Sequence, residues 1–352
     1  MLAVLAPALV QEPEPDGRRL YLAACSACHG DDGRGRPQRD VGFETPLPDF
    51  GDCEFASREP DPDWHAVIHQ GGPVRAFDRM MPAFGQALGA AEIAAILRHV
   101  RSFCADASWP RGEFNLPRPL FTEKAFPEDE AVVTADLGTG DETDHEVELL
   151  YERRIGSRHM IEVALPFVGR SRTAGGGASG LGDVALGYKY AAYHDLDSGH
   201  IVSLGGEVIL PTGDQEQGLG SGATLLEPFV TWGWLLGAAF LQAHAFAEVP
   251  VEGDREHEAG LRMAFGRTWT SGGPFGRSWT PTLEVLAQRE LESGAAIEVD
   301  LVPQIQVSLN RRQHLLLSVG ARIPLVHGDD RDVRIVAYVL WDWFDGRLFD
   351  GW

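Results

Sequence analysis

The sequence predicts two folded parts, an all-α N-terminal domain and an antiparallel transmembrane β-barrel of about 12 strands. Three observations predict this multidomain organisation. Residues 17–106 have the spacing of amphipathic helices, and residues 130–352 alternate apolar and polar side chains with a period of two. Residues 107–129 lie between them and are rich in proline. With 352 residues, the chain is long enough for both parts.

The charge balance restricts the partners of the chain. It has 30 basic and 52 acidic residues and a formal net charge of −22. Nucleic acid is therefore not expected as a partner, because its phosphates require a basic surface. A protein partner that is steered to this chain by charge is expected to be basic.

The N-terminus has one feature of an exported protein. Residues 2–10 form a short apolar run like the central region of a signal peptide, although no basic segment precedes it. We therefore expect residues 1–16 to be either a signal-like segment or a disordered end. In an oxidising compartment Cys53 and Cys104 are candidates for a disulfide, and two free thiols are the alternative.

Helix signals recur through residues 17–106. Asp61 and Pro62 are typical of a helix start, and the run Gly71-Gly72-Pro73 is typical of a helix end. Near the end of the domain four apolar residues follow at helical spacing: Ile93, Ile96, Leu97 and Val100. These signals predict short helices around a small core.

The segment 107–129 contains Pro110, Pro117, Pro119 and Pro127 and has little periodicity. It is predicted to be an extended linker that reaches up to roughly 60 Å at about 3.1 Å per residue. We expect proteases to cut it between Ala107 and Glu130.

The run from Ile297 to Leu309 shows the period-two pattern most clearly, and that from Val333 to Trp343 shows it less cleanly. Such runs fit either a water-soluble sandwich or a membrane barrel. Their length, the seven of nine tryptophans in this half, and the charged residues inside the runs favour the barrel. The charged residues, expected in the lumen, are Glu148, Glu162, Lys189, Glu207, Glu248, Arg262, Arg322 and Arg334. Val299 and Val307 are expected to face lipid, and Gln304 the lumen.

The segment Cys25-Ser26-Ala27-Cys28-His29 has the spacing that attaches haem covalently. Two thiols one helical turn apart can add to both vinyl groups, and His29 then presents its imidazole to the iron. A zinc half-site is the alternative, but it requires a second ligand pair at similar spacing. The motif therefore predicts one covalent haem c, with His29 as the proximal ligand.

The sequence around this motif, from Gly17 to about Cys104, resembles class I cytochrome c. The resemblance is carried by Gly17-Arg-Arg-Leu-Tyr21, the haem motif with Gly30, and Met81-Pro-Ala-Phe-Gly85. It implies that Met81 is the distal ligand of the haem iron. His69 is the fallback if Met81 does not take that role. Both axial positions would then be filled, which is typical of an electron carrier.

Two features of the barrel half also resemble known families. The terminal Phe349-Asp350-Gly351-Trp352 resembles the final aromatic signal of bacterial outer-membrane barrels. The segments Gly180–Tyr190 and Leu210–Asp214 resemble the outer-membrane family of the MetA pathway of phenol degradation. The whole chain is similar to porin–cytochrome fusions of extracellular iron oxidation, from which it departs by its lower strand number and its Met-Pro segment.

These observations predict electron transfer at the bacterial outer membrane, with the cytochrome domain facing the periplasm. One alternative is transport of a small solute, with the haem domain as sensor or docking module. Another is a soluble periplasmic two-domain cytochrome. We expect an electron carrier rather than an enzyme that turns over a substrate, although oxidation of an extracellular donor such as Fe(II) is a candidate. The expected partners are a redox protein or a small electron donor or acceptor, and outer-membrane lipid.

Overall fold

The computed structural model describes residues 14–43, 46–140, 144–171, 177–252, 255–270, 278–327 and 331–342. The signal-like run and the terminal Phe349–Trp352 lie outside these residues. The chain divides into two compact units. The first comprises Met1–Ala56 and Asp61–Asp106, and the second comprises Ser57–Pro60 and Ala107–Trp352.

The first unit is helical, as predicted. Its helices are α1 (Gly17–Ala24), α2 (Ser26–His29), α3 (Gln38–Val41), α4 (Cys53–Ala56), α5 (Asp61–Gln70) and α6 (Ala90–Arg101), with a 3₁₀ turn at Gly72–Arg75. Within the described ranges, no helix has the length and apolar character needed to cross a membrane.

The core of this unit forms where α1 packs against α6. A Cβ on Gly17 would lie 2.0 Å from the carbonyl oxygen of Ala95, so the close approach of the two helices requires glycine. Tyr21, Ile93 and Ile96 are fully buried beside this crossing. Cys53 and Cys104 form a disulfide with their Cα atoms 5.2 Å apart, which ties α4 to the segment after α6.

The second unit is a closed antiparallel barrel. Its strands are β1 (Glu130–Gly138), β2 (Asp144–Ile155), β3 (His159–Ser171), β4 (Gly177–Leu181), β5 (Val184–Asp195), β6 (His200–Leu210), β7 (Leu225–Leu236), β8 (Ala239–Pro250), β9 (Glu258–Arg267), β10 (Trp269–Thr270), β11 (Ser278–Glu290), β12 (Glu298–Ser308), β13 (Leu315–Val326) and β14 (Arg334–Asp342). The short strands β4 and β10 pair with β3 and β11 but are not part of the closed ring of strands. This ring forms the barrel wall, and it is closed where β1 pairs with β14. The remaining twelve described strands make up the barrel, as predicted.

The two faces of the barrel wall differ in polarity. On β12, Val299, Ile305 and Val307 point outward, whereas Gln304 and its even-numbered neighbours are buried on the inner face. Large apolar side chains are exposed around the outside, for example Val133, Leu186 and Val285. This distribution confirms the predicted lipid-facing barrel, the type that spans the bacterial outer membrane. The alternative of a soluble two-domain protein is therefore wrong.

Both ends of the barrel chain lie at one rim, because Glu130 of β1 pairs with Asp342 of β14. The connections at this rim are short, for example that from Ile155 to His159. The opposite rim has longer connections, such as that from Leu210 to Leu225. We call them the short-turn rim and the long-loop rim. Short turns are typical of the periplasmic side, so we expect the short-turn rim there.

An arginine on the outer face should impair assembly of the barrel. Val285 is 40% exposed near the middle of β11, and Val285→Arg should cost about 2–4 kcal/mol because it places a charge in lipid. Gln288→Arg is the matched control, because Gln288 lies on the inner face of the same strand, 3.4 Å from Glu298. The measurement is the amount of folded, heat-modifiable protein in the outer membrane. Equal amounts for both variants would contradict the orientation of β11.

Candidate haem site and the segment inside the barrel

The haem motif lies where α1 passes into α2. The Asp16 side chain caps α1 by accepting a hydrogen bond from the Arg19 N–H at 3.0 Å. Gly30, with a φ of 74°, ends α2 directly after His29. Cys25 and Cys28 are free thiols and both are half-buried. The local fold thus presents two thiols and one imidazole on a single helical stretch.

The His29 side chain has the environment and the protonation state of a metal ligand. Its ring stacks on Phe50 at a centroid distance of 5.0 Å. Burial lowers the pKa of His29 to about 4, so the imidazole is neutral at physiological pH, as coordination requires. Its Nδ1 atom is buried and has no hydrogen-bond partner among the described residues. The thiols and this neutral, incompletely paired imidazole fit a covalently attached haem.

The surroundings of His29 are held by contacts that the sequence did not indicate. Tyr21 donates a hydrogen bond of 2.8 Å to the carbonyl of Gly30 and so fixes the end of the motif to α1. Phe50 packs on Trp64 of α5 at 5.4 Å. Phe50 therefore connects the motif to the helix that precedes the predicted distal ligand.

Met81 lies on a separate loop after α5. The N–H of Gly72 donates to the carbonyl of Met81 at 3.1 Å. A Cβ on Gly71, whose φ is 84°, would lie 3.0 Å from the same carbonyl oxygen. The Gly71-Gly72 pair therefore allows the loop to pack closely against the end of α5. Met81 is half-buried there, whereas its neighbour Met80 is 48% exposed.

His69, the fallback ligand, has a different environment. It is exposed and stacks on His65 with the ring centroids 5.7 Å apart. A Cβ on Gly85 would come 2.6 Å from its Nε2 atom, so the ring lies directly over the segment that follows Met81. The histidine pair therefore covers the outside of this loop.

Residues 107–129 do not form the solvated linker that the prolines predicted. Phe114, Phe126 and Glu128 are at most 2% exposed. The segment contacts inward-facing side chains of β2, β5, β6, β8, β9, β11 and β14. Only a chain inside the barrel can contact so many strands around the wall. We call it the lumen segment.

The deepest part of the lumen segment is bound by one carboxylate. Glu284, in the middle of β11, accepts the N–H groups of Leu120 at 2.7 Å and Thr122 at 2.8 Å, and that of Phe121 between them. It also accepts the Thr122 hydroxyl at 2.7 Å and a hydrogen bond from Gln304. Gln304 faces the barrel interior, as expected. It is only 7% exposed, however, and therefore does not face a water-filled space.

Carbonyl groups of the lumen segment are bound in the same way. Gln242 donates to Pro117 at 2.9 Å, Tyr338 to Arg118 at 2.6 Å, and Arg262 to Phe121 at 3.0 Å. Lys189 donates to Lys124 at 2.9 Å. The strands thus supply the hydrogen bonds that water gives to an exposed segment.

Ion pairs complete this packing. Arg118 contacts Glu130 at 2.5 Å and Glu152 at 2.7 Å. Lys189 pairs with Glu123, and Lys124 with Glu128. The only two lysines of the chain are therefore both buried inside the barrel. That unusual use of lysine was the signal in the sequence that 107–129 is not a free linker.

Two family models match the chain. The model described as cytochrome C oxidase, cbb3-type, subunit III matches residues 12–100. The model described as Putative MetA-pathway of phenol degradation matches residues 130–321. The first is a c-type cytochrome domain, which implies haem, and the second covers most of the barrel.

Solved structures of porins are similar to the barrel at low sequence identity. The NanC porin is 9% identical with a TM-score of 0.44, and the match covers 60% of this chain and 98% of that chain. The KdgM porin is 9% identical with a TM-score of 0.41, covering 61% and 99%. An outer membrane channel from Pseudomonas putida F1 is 14% identical with a TM-score of 0.46, covering 64% and 99%.

No curated protein matches the chain. The second family model nevertheless spans more than half of the 352 residues, and it agrees with the closed barrel seen here. The chain therefore carries a c-type cytochrome domain and belongs to the family described as Putative MetA-pathway of phenol degradation.

Proposed function

We propose that this protein is an electron carrier held at the outer membrane by its barrel. The observation that carries the proposal is the His29 site, where two free thiols and a neutral, half-buried imidazole lie on one helical stretch. Cys25 and Cys28 would attach the haem covalently, and His29 would ligate its iron. The bound haem supplies one-electron chemistry.

Met81 has the role of the distal ligand in this proposal. Its loop is packed on Gly71 and Gly72, which limits its movement. If His29 and Met81 both held the iron, no position on it would be left for a substrate. This ligand pair supports electron transfer rather than substrate turnover.

The lumen segment supports the role of the barrel as an anchor. An open pore wets its inner wall, but Lys189, Thr231 and Ser318 on the inner face are all 0% exposed. A solute that crosses the barrel would have to displace the segment from Glu284 and Arg118 from its carboxylates. Transport is therefore the second candidate function, and it requires that the lumen segment move away from the barrel wall.

The electron donor is proposed by chemical class. The net charge of −22 favours a basic redox protein or a small cationic donor. Fe(II) belongs to the second class. The location of the haem domain on the periplasmic side is part of the proposal.

Replacing Met81 should change the spectrum and the potential. In Met81→Ala the weak long-wavelength band of the sulfur–iron bond should vanish from the oxidised spectrum. The potential should fall, because a thioether stabilises reduced iron. Met80→Ala is the matched control, since Met80 is 48% exposed on the adjacent position. An unchanged band and potential in Met81→Ala would show that Met81 does not ligate the iron.

Replacing Glu284 should release the lumen segment. Glu284→Ala leaves three N–H groups without their acceptor, and the buried one, that of Thr122, alone should cost about 1–3 kcal/mol. Trypsin should then cut after Arg118 and Lys124, which should be protected in the wild-type protein. Single-channel conductance in a planar bilayer should rise in parallel.

The control for this variant is Glu290→Ala, at an exposed position on the same strand. It should leave both the protection and the low conductance unchanged. A wild-type protein that already conducts as well as Glu284→Ala would contradict the role of the barrel as a closed anchor and would favour transport.

A further inference from the structure

The ring of Phe50 packs on the imidazole of His29. Their centroids are 5.0 Å apart and their planes are inclined by 24°, so the two rings are stacked. An imidazole in such a contact cannot turn far about its Cβ–Cγ bond without displacing the phenyl ring, because packed side chains leave little free space. Phe50 is therefore placed to fix the plane of the His29 ring.

The His29 ring is not oriented in the way that is usual for a metal ligand. A metal-bound histidine usually donates its second ring N–H to a carbonyl or a carboxylate, and that bond fixes the orientation of the ring. The Nδ1 atom of His29 is buried and makes no such bond within the described ranges. Gly35 and Arg36 donate their backbone N–H groups to the carbonyls of His29 and Cys28 at 2.8 Å, but these bonds hold only the main chain. The orientation of the ring is thus left to its stacking on Phe50.

The backbone of Phe50 is bound to the turn that follows the haem motif. Its N–H donates to the carbonyl of Gly33 at 2.8 Å. Gly33 has a φ of 75°, and a Cβ on it would lie 2.6 Å from the ring of Phe103, so this turn requires glycine. The main chain therefore holds Phe50 close to the motif even before its ring is considered.

Two further aromatic side chains pack on the Phe50 ring. Trp64 lies 5.4 Å and Phe55 lies 6.5 Å from it, and these two rings are 6.0 Å apart. The guanidinium of Arg101 lies 4.1 Å from the Trp64 centroid and is bound by Asp61 at 2.8 Å. A ring that is packed by several neighbours keeps one rotamer, so Phe50 is a rigid support.

We propose that Phe50 is a positioning residue for the proximal ligand. It holds the His29 ring in one plane and keeps hydrogen-bond acceptors away from its Nδ1 atom. The inference rests on the proposed function, because it concerns the histidine that would bind the haem iron. An Nδ1–H that donates to an acceptor makes the imidazole a stronger electron donor, which favours oxidised iron. An Nδ1–H without an acceptor therefore favours reduced iron and a higher potential.

The variant Phe50→Leu tests this role in the full-length, haem-loaded protein. Water can then reach the Nδ1–H of His29 and accept its hydrogen bond, so the midpoint potential should fall. The imidazole should also adopt a wider range of orientations, which should broaden the EPR signal of the low-spin ferric iron. Phe50→Tyr keeps a stacked ring and should retain both the potential and the line width of the wild type.

Phe55→Leu is the matched control. Phe55 belongs to the same aromatic cluster and is likewise half-buried, and its ring contacts within the described residues are with Phe50 and Trp64. Its replacement should lower the melting temperature about as much as Phe50→Leu does, but it should leave the potential and the EPR signal unchanged. Equal changes of potential in both variants would overturn the proposal, because they would indicate a general loss of packing.

The same experiment separates this proposal from the proposed function. A haem-loaded protein whose potential and EPR signal are unchanged by Phe50→Leu would overturn the role of Phe50 alone. A wild-type protein that lacks the absorption bands of a c-type cytochrome would overturn both proposals.

Discussion

The Glu284 carboxylate satisfies the constraint on which the rest of the barrel interior depends. A polypeptide inside a dry lumen must have its N–H and C=O groups hydrogen-bonded by the wall. Glu284 accepts three successive N–H groups where the segment turns back, and Gln242, Tyr338 and Arg262 bind its carbonyls. The part of the inner wall that surrounds the lumen segment is therefore polar because it binds a chain.

The sequence predicted the two parts of the fold because each has a local signal. The haem motif is five consecutive residues, and the strands repeat every second residue, so both can be recognised within a short window. Most of the charged residues assigned to the lumen were assigned by the same alternation. Lys189 and Glu162 are indeed buried on the inner face.

The lumen segment could not be predicted in this way, since its partners are remote. Leu120 and Glu284 are 164 positions apart, and Tyr338 and Arg118 are 220 apart. Prolines indicate only that regular structure is absent, which is equally true of a solvated linker and of a chain packed in a lumen. The facing carboxylates of Glu152 and Glu162 on the inner wall were hidden for a similar reason, because they become neighbours only through the register of β2 and β3. The contact of Phe50 with His29 likewise depends on tertiary packing.

The lumen segment also decides how far anything that enters from the long-loop rim can travel. To pass, it would have to separate Arg118 from Glu130 and Glu152, and Lys189 from Glu123. Breaking a buried pair costs about 3–5 kcal/mol when one partner is left uncompensated. The cost of breaking several such pairs exceeds the available thermal energy, unless an entering cation replaces the lost positive charges.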